Sequence, residues 1–163
     1  MKYRCTALFL SVVLLEILLP STAACSCAKV TAQKAFCRAD WVCHVHIDRG
    51  SSLSDVKKRL RPPTDYFRYD VKHIEIFKVF LNLKLFDLPT AVYTFKEASA
   101  CGIQLRIGKD YLLSGTVNEG NLMTGICSQL LEPSHTGVIM EWSAVSDNLK
   151  KKLRNDKLVS SCN

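Results

Sequence analysis

The sequence predicts a mainly β fold, a small antiparallel barrel or sandwich stapled by disulfides. Three observations carry this expectation. Five segments show strand-like patterning with no helix between them, seven cysteines follow an export signal, and helical periodicity is confined to the end of the chain.

Met1 to Ala24 reads as a secretory signal peptide. Lys2 and Arg4 form a basic start, Ala7 to Leu19 is apolar, and Pro20 to Ala24 ends in small residues. A transmembrane helix competes, but Glu16 and Pro20 leave the run short of the ~20 apolar residues a span needs. Thr22 and Ala24 fit cleavage before Cys25, with a cut one residue earlier as the alternative. Residues 25–163 then form one domain of ordinary size, with no repeat, low-complexity tract or linker to divide it and a single core implied. Losing Lys2, Arg4 and Glu16 lowers the formal charge from +7 to +6. Such a surplus attracts polyanions over about a Debye length or serves solubility alone, and it names no partner. No Asn-x-Ser/Thr site follows Ala24, so N-glycosylation is not expected.

Once Cys5 is removed, Cys25, Cys27, Cys37, Cys43, Cys101, Cys127 and Cys162 remain. Export favours disulfides over a zinc site, whose ligands usually come in C-x2-C or H-x3-H pairs rather than as Cys25-Ser26-Cys27. An odd count leaves one thiol free or bridging two chains, and even six cysteines allow ~15 pairings.

The first strand runs from Trp41 to Ile47. Trp41, Cys43, Val45 and Ile47 alternate with Val42, His44 and His46, the period of a half-buried strand. Cys43 therefore points inward and is the candidate free thiol, with an intermolecular bridge as the alternative. His44 and His46 are expected on the exposed face. Without a carboxylate or cysteine cluster to complete a metal site, they do not support an enzyme. Arg49 to Asp65 is polar, ends at Pro62-Pro63 and reads as a long loop holding at most one short helix. The second strand, Tyr66 to Phe80, slips phase near Lys72-His73, where a bulge is expected. Ala91 to Phe95, Tyr111 to Thr116 and Leu122 to Ile126 complete the five, separated by loops holding Gly102, Gly108 and Gly120. Beyond Trp142, Val145, Leu149 and Leu153 are spaced as one face of an amphipathic helix, with Ser143 the expected N-cap. Its Lys150, Lys151, Lys152 and Arg154 read as a solvated face before they read as a polyanion site.

Cys25-Ser26-Cys27, followed by Ala35-Phe36-Cys37 and Ala39-Asp40, resembles the mature N-terminus of the tissue inhibitors of metalloproteinases. Tyr69-Asp70-Val71-Lys72 with Phe77-Lys78, Cys101-Gly102 leading into Tyr111-Leu112-Leu113-Ser114-Gly115, and then Cys127, Trp142 and Cys162 follow in that family's order. The resemblance covers essentially all of Cys25 to Cys162.

It implies an OB-fold, a five-stranded antiparallel netrin-like barrel with short flanking helices, and bridges Cys25–Cys101, Cys27–Cys127 and Cys37–Cys162, with Cys43 left over. It also implies a secreted inhibitor, not an enzyme, of matrix metalloproteinases and related zinc endopeptidases. The α-amine and carbonyl oxygen of Cys25 would chelate the target's catalytic zinc, and the chain would need no cofactor of its own. Ser26 would enter the specificity pocket, while Cys27, Ala28, Ser99, Ala100 and Cys101 would line the cleft. Ala28-Lys29-Val30-Thr31 lacks the prolines that stiffen this edge in many relatives, which predicts a looser ridge. The chain stops just past Cys162, so the second cysteine-rich domain of vertebrate members is not expected. A monomer is expected, with no nucleic acid and no membrane insertion, and a glycosaminoglycan is a second candidate partner. The alternative is a netrin-like binding module that engages a receptor or glycosaminoglycan without inhibiting proteases. Sensitivity to the N-terminus separates the two.

Overall fold

The alternation that marks Trp41 to Ile47 opens a longer strand than the sequence predicts. In the computed structural model, which describes residues 25–52, 66–79 and 88–162, strand β1 spans Trp41–Ser52. Arg49 and its neighbours therefore belong to a strand and not to a loop, because β1 stays paired with β2 (Tyr66–Lys78) as far as Ser52–Phe67. The expected signal peptide, residues 53–65 and Phe80 lie outside the described residues.

β3 (Ala91–Phe95), β4 (Asp110–Asn118) and β5 (Asn121–Thr124) follow, then a two-residue strand, β6 (Met140–Glu141), on the edge of β4. Strand order is β1-β2-β3-β5-β4, and β1 pairs back to β4, so five strands close into a barrel. All pairings are antiparallel except β3 with β5. Closure is partial: β4 borders β1 only from Trp41 to His46, and β3 borders β2 only from Tyr66 to Asp70. Register slips on β2 leave Phe77 and Ile74 opposite no β1 residue. The second lies beside the expected bulge at Lys72-His73 and turns Ile74 outward, 45% exposed.

The apolar interior has two layers rather than one. Trp41, Cys43, Val45, Ile47, Tyr69, Val92, Tyr111, Leu113 and Leu122 fill the barrel. Val42 and Leu112, facing outward on β1 and β4, pack against Phe36, Leu130, Met140, Leu149 and Leu153. The second layer is carried by helix α1 (Ala32–Arg38), helix α2 (Asp147–Arg154) and the segment between β5 and α2. This overturns the exposed placement of His44. It is 5% exposed, and its ring stacks on Trp142 with centroids 4.0 Å apart.

Thr31 caps α1 by accepting from the Lys34 amide, and Lys78 Nζ donates to the carbonyls of Phe36 and Cys37 at the other end. The cap of α2 is Ser146, not Ser143. Its hydroxyl accepts from the Leu149 amide and is held by Glu132, while Ser143 lies in a separate 3-10 turn, Trp142–Ala144. Val145 is buried immediately before the Ser146 cap, outside the helix. Gly115 lets β4 approach β5, since a Cβ there would stand 1.8 Å from the Met123 carbonyl oxygen.

Candidate functional site

Residues 25–30 precede α1 without regular structure and lie along one end of the barrel. Two covalent bonds fix them there. Cys25 is bonded to Cys101 and Cys27 to Cys127, with Cα separations of 5.0 and 5.2 Å. The bridges lie against each other, with Cys25 Sγ 3.7 Å from Cys127 Sγ. Although the sulfurs of Cys25, Cys27 and Cys127 cluster within 4.8 Å, each is spent in a disulfide and none is a thiolate ligand. Between and beside these anchors Ser26 and Ala28 are exposed, and so are Ser99 and Ala100 on the opposing loop. The six residues expected to face a target are thus brought to one edge.

The Cys101 loop is built to hold its shape. Ala98–Ala100 forms a 3-10 turn that ends at Cys101 in the left-handed region, φ 65°, uncommon for a residue with a side chain. The turn closes with Cys101 N–H donating to Ala98 O and Gly102 N–H to Glu97 O, each 3.0 Å. Gly102 is required here because a Cβ would stand 2.0 Å from the Phe95 carbonyl oxygen. The next amides are tacked to the barrel by buried hydroxyls. Ile103 N–H donates to Thr94 Oγ1, Leu105 N–H to Tyr69 Oη and Arg106 N–H to Tyr111 Oη, all within 3.0–3.1 Å. Burial raises the Tyr69 phenol above its ordinary range, so this acceptor stays protonated.

The Cys127 turn is braced from below. Ile126 N–H donates to Cys101 O at 2.9 Å and joins the two loops. Gln129, 5% exposed, donates through Nε2 to Thr124 Oγ1 and Gly125 O, both 2.8 Å. Ser114 Oγ donates to Ser128 O at 2.6 Å. Sequence reasoning missed the three hydroxyl tacks, which come from strands remote in the chain, and Gln129, which is close to Cys127 but carries no motif that marks it as a strut. A glycine beside each cysteine, in Cys101-Gly102 and Gly125-Ile126-Cys127, is the one signal of close backbone approach.

Away from this edge Cys37 is bonded to Cys162, Cα–Cα 5.2 Å, and Gln33 Nε2 donates to Leu158 O beside it. Cys43 is the free cysteine among the described residues, fully buried, its thiol pushed up to about 12 by burial. His44 and His46 share Asp110, at 3.3 Å and 2.5 Å, and the His46 hydrogen bond above all holds that carboxyl below its usual range. His44 Nδ1 is buried without a hydrogen-bond partner. Among the described residues no helix is long and apolar enough to cross a membrane.

The fold and this edge define a disulfide-stapled OB-barrel protein that presents an exposed stretch of main chain, pinned at both cysteines. Residues 23–162 match the family model described as tissue inhibitor of metalloproteinase. The chain is 35% identical over 156 residues to "Putative metalloproteinase inhibitor tag-225" of Caenorhabditis elegans, covering 92% of this chain and 98% of that protein. It is 30% identical over 155 residues to "Metalloproteinase inhibitor 2" of Bos taurus and 28% identical to the Homo sapiens protein of that name, covering 93% of this chain and 64% of each relative. The chain belongs to the tissue inhibitor of metalloproteinase family, whose members are protease inhibitors and not enzymes.

Proposed function

We propose that the chain, released before Cys25, is a secreted inhibitor of zinc metalloendopeptidases of the matrix metalloproteinase type, and that the α-amine and carbonyl oxygen of Cys25 ligate the target's catalytic zinc. The observation that carries this reading is the pair of adjacent bridges holding Cys25 and Cys27 against the Cys101 and Cys127 loops while Ser26 and Ala28 stay exposed.

A catalytic zinc keeps one coordination position for water, and nitrogen and oxygen donors suit it. At Cys25 the thiol is occupied, so the main-chain donors are what this residue has to offer. An α-amine of ordinary pKa, about 7.7–8.0, releases its proton near neutral pH more cheaply than a lysine, which makes it a usable ligand. Ser26 then points into the pocket beside the metal, and Ala28, Ser99 and Ala100 flank it. Because the edge is fixed before docking, less conformational entropy is lost on binding. The zinc is the enzyme's own. The chain needs no cofactor and acts as a monomer.

The test is titration of a zinc matrix metalloproteinase with the refolded Cys25–Asn163 protein beside the same protein carrying one extra N-terminal alanine. Stoichiometric inhibition that the added alanine abolishes supports chelation. Inhibition by neither form across several such enzymes would leave a netrin-like module that binds a receptor or glycosaminoglycan.

A further inference from the structure

The outer face of β2, β3 and β5 carries a row of side chains that the barrel does not use. Alternation turns Phe67, Tyr69, Val92, Thr94 and Leu122 inward, which leaves Tyr66, Arg68, Tyr93, Phe95 and Met123 outward. The register sets them beside one another: Tyr66 opposite Phe95, Arg68 opposite Tyr93, Tyr93 opposite Met123. The rings of Tyr66 and Phe95 stack with centroids 4.6 Å apart, and Phe95 is 37% exposed. Arg68 is paired with Asp70 at 2.7 Å, so its charge is largely answered within the face.

This row runs directly into the Cys101 loop. Phe95 ends β3, and its carbonyl lies so close to Gly102 that no side chain fits between them. The Tyr66–Phe95 stack is therefore rigidly connected to the segment that carries Ser99, Ala100 and Cys101. An enzyme seated on the Cys25 edge would extend past that loop onto the aromatic row.

We propose that Tyr66 and Phe95, flanked by Tyr93 and Met123, form a second contact surface for the target metalloproteinase, receiving apolar side chains on the rim of its catalytic cleft. This rests on the inhibitory reading of Cys25. Tyr and Phe are enriched in the cores of protein interfaces and Tyr among their hot spots, and a stacked pair held by two paired strands loses little freedom on docking. The surface adds affinity and selectivity among enzymes that share a zinc site and differ at the rim.

The experiment compares wild type, Tyr66→Ala/Phe95→Ala and Phe95→Glu against a panel of matrix metalloproteinases, with thermal unfolding as the folding control. The expected result is an inhibition constant raised about tenfold or more in both variants, unequally across the panel, with unchanged unfolding temperature. Inhibition equal to wild type overturns this surface and leaves the zinc-chelating edge intact. Failure of wild type itself to inhibit overturns both. Retention of wild type, but not the variants, on an immobilised oligosaccharide, with inhibition unaltered, overturns the assignment of this face to the protease in favour of the saccharide role this face has on other OB-folds. If the double variant unfolds early, Phe95→Glu, changed at an exposed position, decides the matter.

Discussion

The amide of Ile126 donates to the carbonyl of Cys101 across 2.9 Å, and this hydrogen bond joins the two loops to which the N-terminal segment is bridged. Without it Cys25 and Cys27 would hang from two independent loops. With it the four cysteines move as one body.

Gly102→Ala should break that body. The new Cβ would meet the Phe95 carbonyl oxygen at 2.0 Å and the Glu97 carbonyl oxygen at 2.9 Å, both backbone atoms that cannot swing aside. The expected outcome is a loss of about 1–3 kcal/mol in chemical denaturation. Inhibition should fall further than stability alone explains, because the displaced residue adjoins Cys101.

Replacing Cys27 and Cys127 together by serine removes a cross-link between residues 100 positions apart. A cost of about 2–4 kcal/mol is expected from the freed unfolded chain. A surface-binding assay should show slower association with the target as well, since the edge must order itself on docking.

Cys43 should be silent to alkylating reagents in the native protein and react as one thiol equivalent after unfolding with the disulfides intact. Burial that raises the thiol to about 12 keeps it neutral and un-nucleophilic. Because the folded value lies above the unfolded one, this group's contribution is fully present below the unfolded thiol pKa, about 8.5, and is lost as pH rises toward 12.

Acid should weaken the fold through Asp110 and Glu75. Hydrogen bonds from His46 first, and His44 also, depress Asp110; the two-point contact from Arg154 depresses Glu75. Carboxyls with lowered folded values stabilise above their unfolded pKa, about 4, and lose that contribution as pH falls through the folded value. Denaturation midpoints should drop between pH 5 and pH 3, and Asp110→Asn should flatten that dependence.

Much of the barrel was legible because its strands alternate. Trp41, Cys43, Val45 and Ile47 announced their face without any structure, and the phase slip on β2 announced a bulge within two residues of its place. Period-two reading sees only one face, however. It placed His44 outside because nothing in residues 41–47 says that Trp142, some hundred residues on, will stack over it. The same blindness hid the second apolar layer. α1 is only seven residues long, and β6 two, too short for periodicity to register. Ser143 and Ser146 both suit a cap, and only the position of Glu132 selects the second. The disulfide partners were beyond counting altogether and came from resemblance, since pairing depends on which loops the barrel brings to one end. The exposed edge was nameable by its residues, but not the Gln129 strut or the hydroxyl tacks beneath it.

All three bridges share one topological property. Cys25, Cys27 and Cys37 lie on one side of the stretch between Cys37 and Cys101, and their partners Cys101, Cys127 and Cys162 lie at or beyond its far end. A single peptide bond cut anywhere in that stretch leaves two pieces joined by three covalent links. A molecule that spends its working life pressed against proteolytic enzymes can in this way be nicked without being divided.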